Sequence, residues 1–122
     1  MKIILLVGLG SFIGGIGRYL VSLPFENKLM FTFPFATLIV NIVGCFLMGL
    51  VYALAIKGIT SAEWRIFFAT GILGGFTTFS AFSLETVTMF KDGHVANAIL
   101  YVAASIILGI AAVFAGMSLI KF

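Results

Sequence analysis

Four apolar runs, each long enough to cross a bilayer as a helix, predict an all-α integral membrane protein, and an interruption in the third run predicts a broken span. Three observations carry this reading. Hydrophobic residues make up 62% of the 122 and charged residues only 9%, far below the roughly 25% of a soluble domain. Each run reaches the about 20 apolar residues that a helix needs to span the hydrocarbon. In the third, Gly71 to Ser83 reads GILGGFTTFSAFS: Gly74 and Gly75 lower helix propensity, and Thr77, Thr78, Ser80 and Ser83 follow at once. Non-helical backbone at membrane depth persists only where protein buries it or where it lines a wet cavity. The third span is therefore expected to be broken and to carry the functional site, within one four-span domain covering residues 1–122.

The first span is expected over about residues 3–23. Lys2 before it raises the possibility of a signal peptide, but no A-x-A-like cleavage site follows, and Arg18 and Tyr19 lie in its own last turns. It reads as a retained span. Pro24 opens a polar loop containing Glu26, Asn27 and Lys28. The second span covers about 35–56. Thr60 with Glu63 three residues later reads as a capping box for the third span, about 64–90, and Trp64 falls where an interfacial indole is expected. Lys91, Asp92, Gly93 and His94 make a tight turn before the fourth span, about 95–120.

Four spans place both termini on one side. That side carries Lys2, Lys57, Arg65 and Lys121, and the other Lys28 and Lys91 with Arg18 close by. So small a bias gives the positive-inside rule little to act on, and opposed insertion of two copies is one outcome. Gly10 with Gly14, Gly71 with Gly75, and Ser105 with Gly109 are small-xxx-small pairs, suited to close helix packing within a bundle, across a homodimer, or both.

Polar side chains within spans need a partner, a cavity or a function. In the second span Thr37, Asn41 and Cys45 recur at four-residue spacing; the Asn41 amide can donate to an anion or lock two helices together. Asn97, Tyr101, Ser105 and Gly109 repeat the spacing in the fourth. Phe79 and Phe82 share a helical face just after the break. Among fourteen phenylalanines the default is packing, although an aromatic edge turned toward a pathway would favour an anion. Arg18 reads as a snorkelling anchor or as an electropositive approach, and Glu85 as the partner of a basic group or the cap of a polar network.

Several function classes are disfavoured. The net charge of +3 comes from basic residues scattered singly, mostly at span ends, so nucleic acid is not an expected partner. The single cysteine, Cys45, excludes an internal disulfide and a multi-cysteine metal site. Gly8-x-Gly10-x-x-x-Gly14 imitates a dinucleotide-binding turn, but three further spans leave no room for βαβ units. The one histidine lies in a loop, so no Ser-His-Asp or Cys-His constellation can form and an enzyme is not expected. With no carboxylate in the first, second or fourth span, proton coupling lacks its usual relay.

GGIGRY at 14–19, TLIVNIVGCFLMG at 37–49 and GILGGFTTFSAFSLE at 71–85 together resemble the Fluc (CrcB) family of fluoride ion channels, and the four-span layout extends the resemblance to the whole chain. The resemblance implies an antiparallel, dual-topology homodimer in the cell membrane that exports fluoride passively and protects against its toxicity. Two pores and a central structural sodium ion (Na+) are implied with it. By position, Asn41 would be a pore hydrogen-bond donor and Phe79 and Phe82 the pore phenylalanines. Thr78, Ser80, Tyr101 and Ser105 would belong to a polar track, with Arg18 at the vestibule. Backbone carbonyls of Gly74 and Thr77 would hold sodium. The family motif often reads TTFSTFS, whereas Ala81 here lacks the second-half hydroxyl, and Cys45 stands where serine is common.

The residues themselves are compatible with that chemistry. Fluoride is small and strongly hydrated, so a pore must replace water with many donors, and conduction requires weak, multiple sites rather than a bare mid-span lysine. Two rivals are a small multidrug-type dual-topology antiporter and a non-transporting assembly subunit. The first predicts a mid-membrane glutamate in the first span, where this chain has glycines and Arg18. For the second, the hydroxyl stripes would be interhelical glue.

Overall fold

The computed structural model describes residues 1–25 and 33–120; the loop expected around Glu26, Asn27 and Lys28, and the closing Lys121 and Phe122, lie outside them. Helix α1 runs Lys2–Ser22 and tightens into a 3-10 turn at Leu23–Phe25, where the fixed φ of Pro24 suits the tighter winding. Helix α2 covers Phe35–Ile56. The third span is assembled from pieces: α3 (Ala62–Arg65), a π-helix (Ile66–Leu73), α4 (Gly74–Phe76) and α5 (Phe79–Lys91). Helix α6 covers Val95–Ser118. Four helical segments, Lys2–Phe25, Phe35–Ile56, Ala62–Lys91 and Val95–Ser118, are long and apolar enough to cross a membrane. No strand occurs among the described residues.

Two glycines end helices by the same device. Gly58 (φ 71°) follows α2 and Gly93 (φ 83°) follows α5, both in the left-handed region that side chains avoid. Behind each, the next N–H reaches back to a carbonyl of the last turn, Ile59 to Leu54 at 3.1 Å and His94 to Met89 at 2.8 Å. These are Schellman closures, which satisfy carbonyls that would otherwise face hydrocarbon or headgroups unpaired. The start of the third span departs from the expected capping box. Ser61 is the N-cap, its hydroxyl accepting from the Trp64 N–H at 3.3 Å. Thr60 lies one residue too early to reach that N–H, and Glu63 instead pairs with Lys2 at 3.0 Å. That exposed ion pair ties the start of α1 to α3 and contributes no more than about 1 kcal/mol.

Packing is arranged as two helix pairs. Helix α1 lies along the π-helix and α4, and α2 lies along α6, these being the most extensive contacts between elements. Lipid removes the hydrophobic drive between helices, so close backbone approach has to hold them. Gly14 shows how tightly: a Cβ there would strike the Ile72 carbonyl and come within 2.9 Å of the Phe76 nitrogen. Ser11 adds a hydrogen bond from its hydroxyl to the Gly71 carbonyl at 3.4 Å. Two of the expected small-residue pairs, Gly10 with Gly14 and Gly71 with Gly75, thus pack against each other. The α2–α6 contact uses Gly49 and Gly116, which pattern reading did not single out. The buried cluster is small, consisting of Leu38, Met89, Ala98 and Tyr101, with Phe33, Ile42, Phe82 and Ala104 packed against it.

Gly14→Ala is expected to lower the stability of the detergent-solubilised chain by about 1–3 kcal/mol, because the neighbour it meets is backbone and cannot yield. Gly8→Ala, where a Cβ meets nothing within 4 Å, should be neutral or gain up to about 1 kcal/mol of helix propensity. Thermal melts of the two variants side by side check the contrast.

Candidate functional site

Helix α4 ends at Phe76, and the chain then runs extended through Thr77 (φ −84°, ψ 158°) and Thr78 (φ −150°, ψ 123°) before α5 begins. The N–H groups of Thr77, Thr78 and Ala81 and the Thr78 carbonyl each have an assignable partner. The Thr77 N–H and hydroxyl both donate to the Leu73 carbonyl, at 3.0 and 2.9 Å. The Thr78 N–H donates to Asn41 Oδ1 at 2.9 Å, while Asn41 Nδ2 donates to the Thr78 carbonyl at 3.0 Å. The amide orientation follows from chemistry, since an N–H can only donate and a carbonyl only accept. The side chain of Asn41 therefore pairs with Thr78 as a neighbouring peptide unit would in a sheet. Thr78 is also the N-cap of α5, its Oγ1 accepting from the Ala81 N–H at 3.2 Å. Position 81 thus contributes its backbone here, which an alanine supplies as well as a threonine.

These contacts redirect two donors. In an unbroken helix the Thr78 N–H would go to the Gly74 carbonyl and the Ala81 N–H to the Thr77 carbonyl. Both are taken by side-chain oxygens instead, so neither carbonyl keeps its helical donor. Gly74 is exposed on the single chain. The Thr77 methyl occupies the space that a Cβ on Gly44 would need, which seats the extended segment against α2. Carbonyl oxygens released at a helix interruption are ligands of the kind that hard monovalent cations take.

Two cavities flank the extended segment. One, of about 380 Å³, is lined by Asn41, Cys45, Phe79, Phe82 and Ser105 among others. The second, of about 300 Å³, is lined by Arg18, Tyr19, Ser22, Thr37 and Ala81. Thr78 contributes to both and so stands between them. The rings of Phe79 and Phe82 have centroids 5.7 Å apart, and Phe79 is 77% exposed on the single chain. Ser80 is exposed, with its hydroxyl 3.2 Å from Thr78 Oγ1. The Ser105 hydroxyl is buried without a hydrogen-bond partner among the described residues.

Tyr101, grouped with Ser105 by its spacing, lies elsewhere. It is fully buried and lines neither cavity, packing on Phe82 at a centroid distance of 5.1 Å. Its hydroxyl donates to Glu85 Oε1 at 3.1 Å, and Thr37 Oγ1 donates to Glu85 Oε2 at 2.9 Å. One carboxylate thereby joins α2, α5 and α6. Of the two readings of Glu85, the polar network is the one present, with hydroxyl groups rather than a cation as partners. Thr37 was legible only as a member of the Asn41 face; nothing in its spacing pointed to a carboxylate 48 residues away.

The family model described as "CrcB-like protein, Camphor Resistance (CrcB)" matches residues 5–117. A protein of Agrobacterium fabrum named "Fluoride-specific ion channel FluC" is 47% identical over 117 residues, covering 95% of this chain and 94% of that protein. Proteins of the same name from Granulibacter bethesdensis and a Caulobacter species are 44% and 45% identical, each covering 96% of this chain and 93% of the relative. With almost the whole chain matched by the model and relatives this similar from end to end, the chain belongs to the CrcB family.

Proposed function

We propose that this multi-pass protein of the plasma membrane is a fluoride-selective channel that lets the ion leave passively and so confers resistance to it. The observation that carries the reading is the 47% identity, over 95% of the chain, to a protein named as a fluoride-specific channel. The physical case rests on neutral donors. Fluoride gives up its water only where other donors replace it, and the larger cavity offers the second Asn41 amide hydrogen, the unpartnered Ser105 hydroxyl and two aromatic rings. Thr78 and Ser80 add hydroxyls beside it. The Phe79 and Phe82 rings can turn positive edges toward an anion without holding it as a full charge would. Arg18, in the smaller cavity, raises local anion concentration at the entrance.

The working unit in this reading is an antiparallel homodimer. Support comes from the single chain itself: Phe79 and Gly74 are exposed, and in the centre of a membrane a released carbonyl needs a partner that lipid does not provide. A second, inverted copy would bring the same carbonyls opposite. The Gly74 and Thr77 carbonyls of both copies would hold a structural sodium ion, which when bound supplies fixed positive charge and ties the copies together. This chain's residues do the rest: Asn41 holds the extended segment, and the threonine and serine hydroxyls line the way.

In liposomes carrying the purified protein, fluoride is expected to leave when a potassium shunt is added without a proton gradient, while chloride stays; an ion-selective electrode reads both, and vesicles as tight to fluoride as plain lipid would sink the proposal. Phe82→Ile should slow fluoride efflux by roughly five- to ten-fold, the worth of an aromatic-edge contact of about 1–1.5 kcal/mol, with an unchanged elution volume on size-exclusion chromatography. A tag on the C-terminus should be found on both faces of the membrane by protease accessibility.

A further inference from the structure

We infer that Asn41 and Thr78 are positioning residues for the cation site, each keeping one carbonyl open by occupying the N–H that would otherwise close on it. The inference rests on the sodium reading above and deepens it. A role as pore donor alone leaves unexplained why both polar atoms of the Asn41 amide engage the Thr78 backbone, at 2.9 and 3.0 Å. An amide nitrogen has two hydrogens, so holding Thr78 with one leaves the other available to the larger cavity that Asn41 lines. The acceptor half of the pair has a different consequence. Without Oδ1, the Thr78 N–H would be left unpaired at membrane depth, and the nearest helical acceptor is the Gly74 carbonyl four residues back.

The same logic applies one turn later. The Ala81 N–H is held by Thr78 Oγ1 at 3.2 Å; without that oxygen its helical acceptor is the Thr77 carbonyl. Two side-chain oxygens from different spans thus stand in for two backbone carbonyls, and those are the two carbonyls that the cation requires. Helix closure and cation binding compete for the same lone pairs. An unmade hydrogen bond at a buried N–H is costly enough to drive closure once its substitute is removed.

The test is thermal unfolding of the full chain in detergent, with sodium chloride titrated against N-methylglucamine chloride at constant ionic strength. Because a ligand of the folded state raises the melting temperature by mass action, the titration midpoint reports sodium affinity. Asn41→Ala and Thr78→Ala should each weaken it about ten-fold or more, the equivalent of one lost buried hydrogen bond. Thr78→Ser, which keeps the cap oxygen, should titrate like the parent chain. Asn41→Asp, which keeps an acceptor for the Thr78 N–H, should bind sodium as tightly or more so while passing less fluoride. A merely structural role would lower every melting temperature and leave the midpoint in place, and that result in both alanine variants overturns the inference while the sodium reading survives. A parent chain whose melting is indifferent to sodium overturns the sodium reading and the inference together. If Asn41→Ala does not fold, the Thr78 pair decides the matter alone.

Discussion

Hydrocarbon offers no water to an N–H or a carbonyl, so a chain can leave helical geometry inside a membrane only where protein takes over the exposed groups. Here the Asn41 side chain does so for Thr78, donating to its carbonyl and accepting from its N–H. Much else depends on that pair. It fixes the extended stretch, brings Thr78 into position to cap α5, and places α2 against the third span. The Thr77 methyl seated on Gly44 reinforces the same contact. Deprived of the amide, the segment would have two backbone groups to satisfy and no acceptable way of doing so except by winding back into helix.

The site this creates sets a few neutral polar groups in a mostly apolar wall. Asn41, Thr78, Ser105 and two aromatic rings line the larger cavity together with Met48, Ile106 and Val113, while the nearby charges are set apart. Arg18 belongs to the smaller cavity, and the Glu85 carboxylate is engaged by the hydroxyls of Thr37 and Tyr101. A carboxylate within a span is tolerable when donors surround it, and two donors on two other helices make it a fastening for the bundle. Neutral donors can take the place of hydration without binding an anion too tightly to release, which is the condition for throughput.

Much of this was legible in the residues. Apolar runs of sufficient length marked the spans, and two glycines followed by hydroxyls drew attention to the stretch in which Thr77 and Thr78 run extended between α4 and α5. The four-residue spacing put Asn41 on the face that meets that segment. What could not be read depends on contacts between distant elements. The Glu85 bridge joins residues 48 and 16 positions apart, and periodicity along one helix carries no information about which neighbour it meets. Tyr101 shows the same limit: four-residue spacing aligned it with Ser105, but the helix turns it into the buried cluster. The π-helix of Ile66–Leu73 also has no signature in propensity. At Thr60 the error was one residue, enough to exchange a capping hydroxyl for an unused one.

The fit of Thr77 against Gly44 binds the fates of two positions on different helices. The Thr77 methyl fills the room that a Cβ at 44 would take, so enlarging 44 requires trimming 77, while Gly44 has no side chain left to trim if 77 grows. Any redesign that begins at this point of the second helix must therefore be drafted as a joint change at 44 and 77, and a library that varies 44 alone will sample mostly misfits.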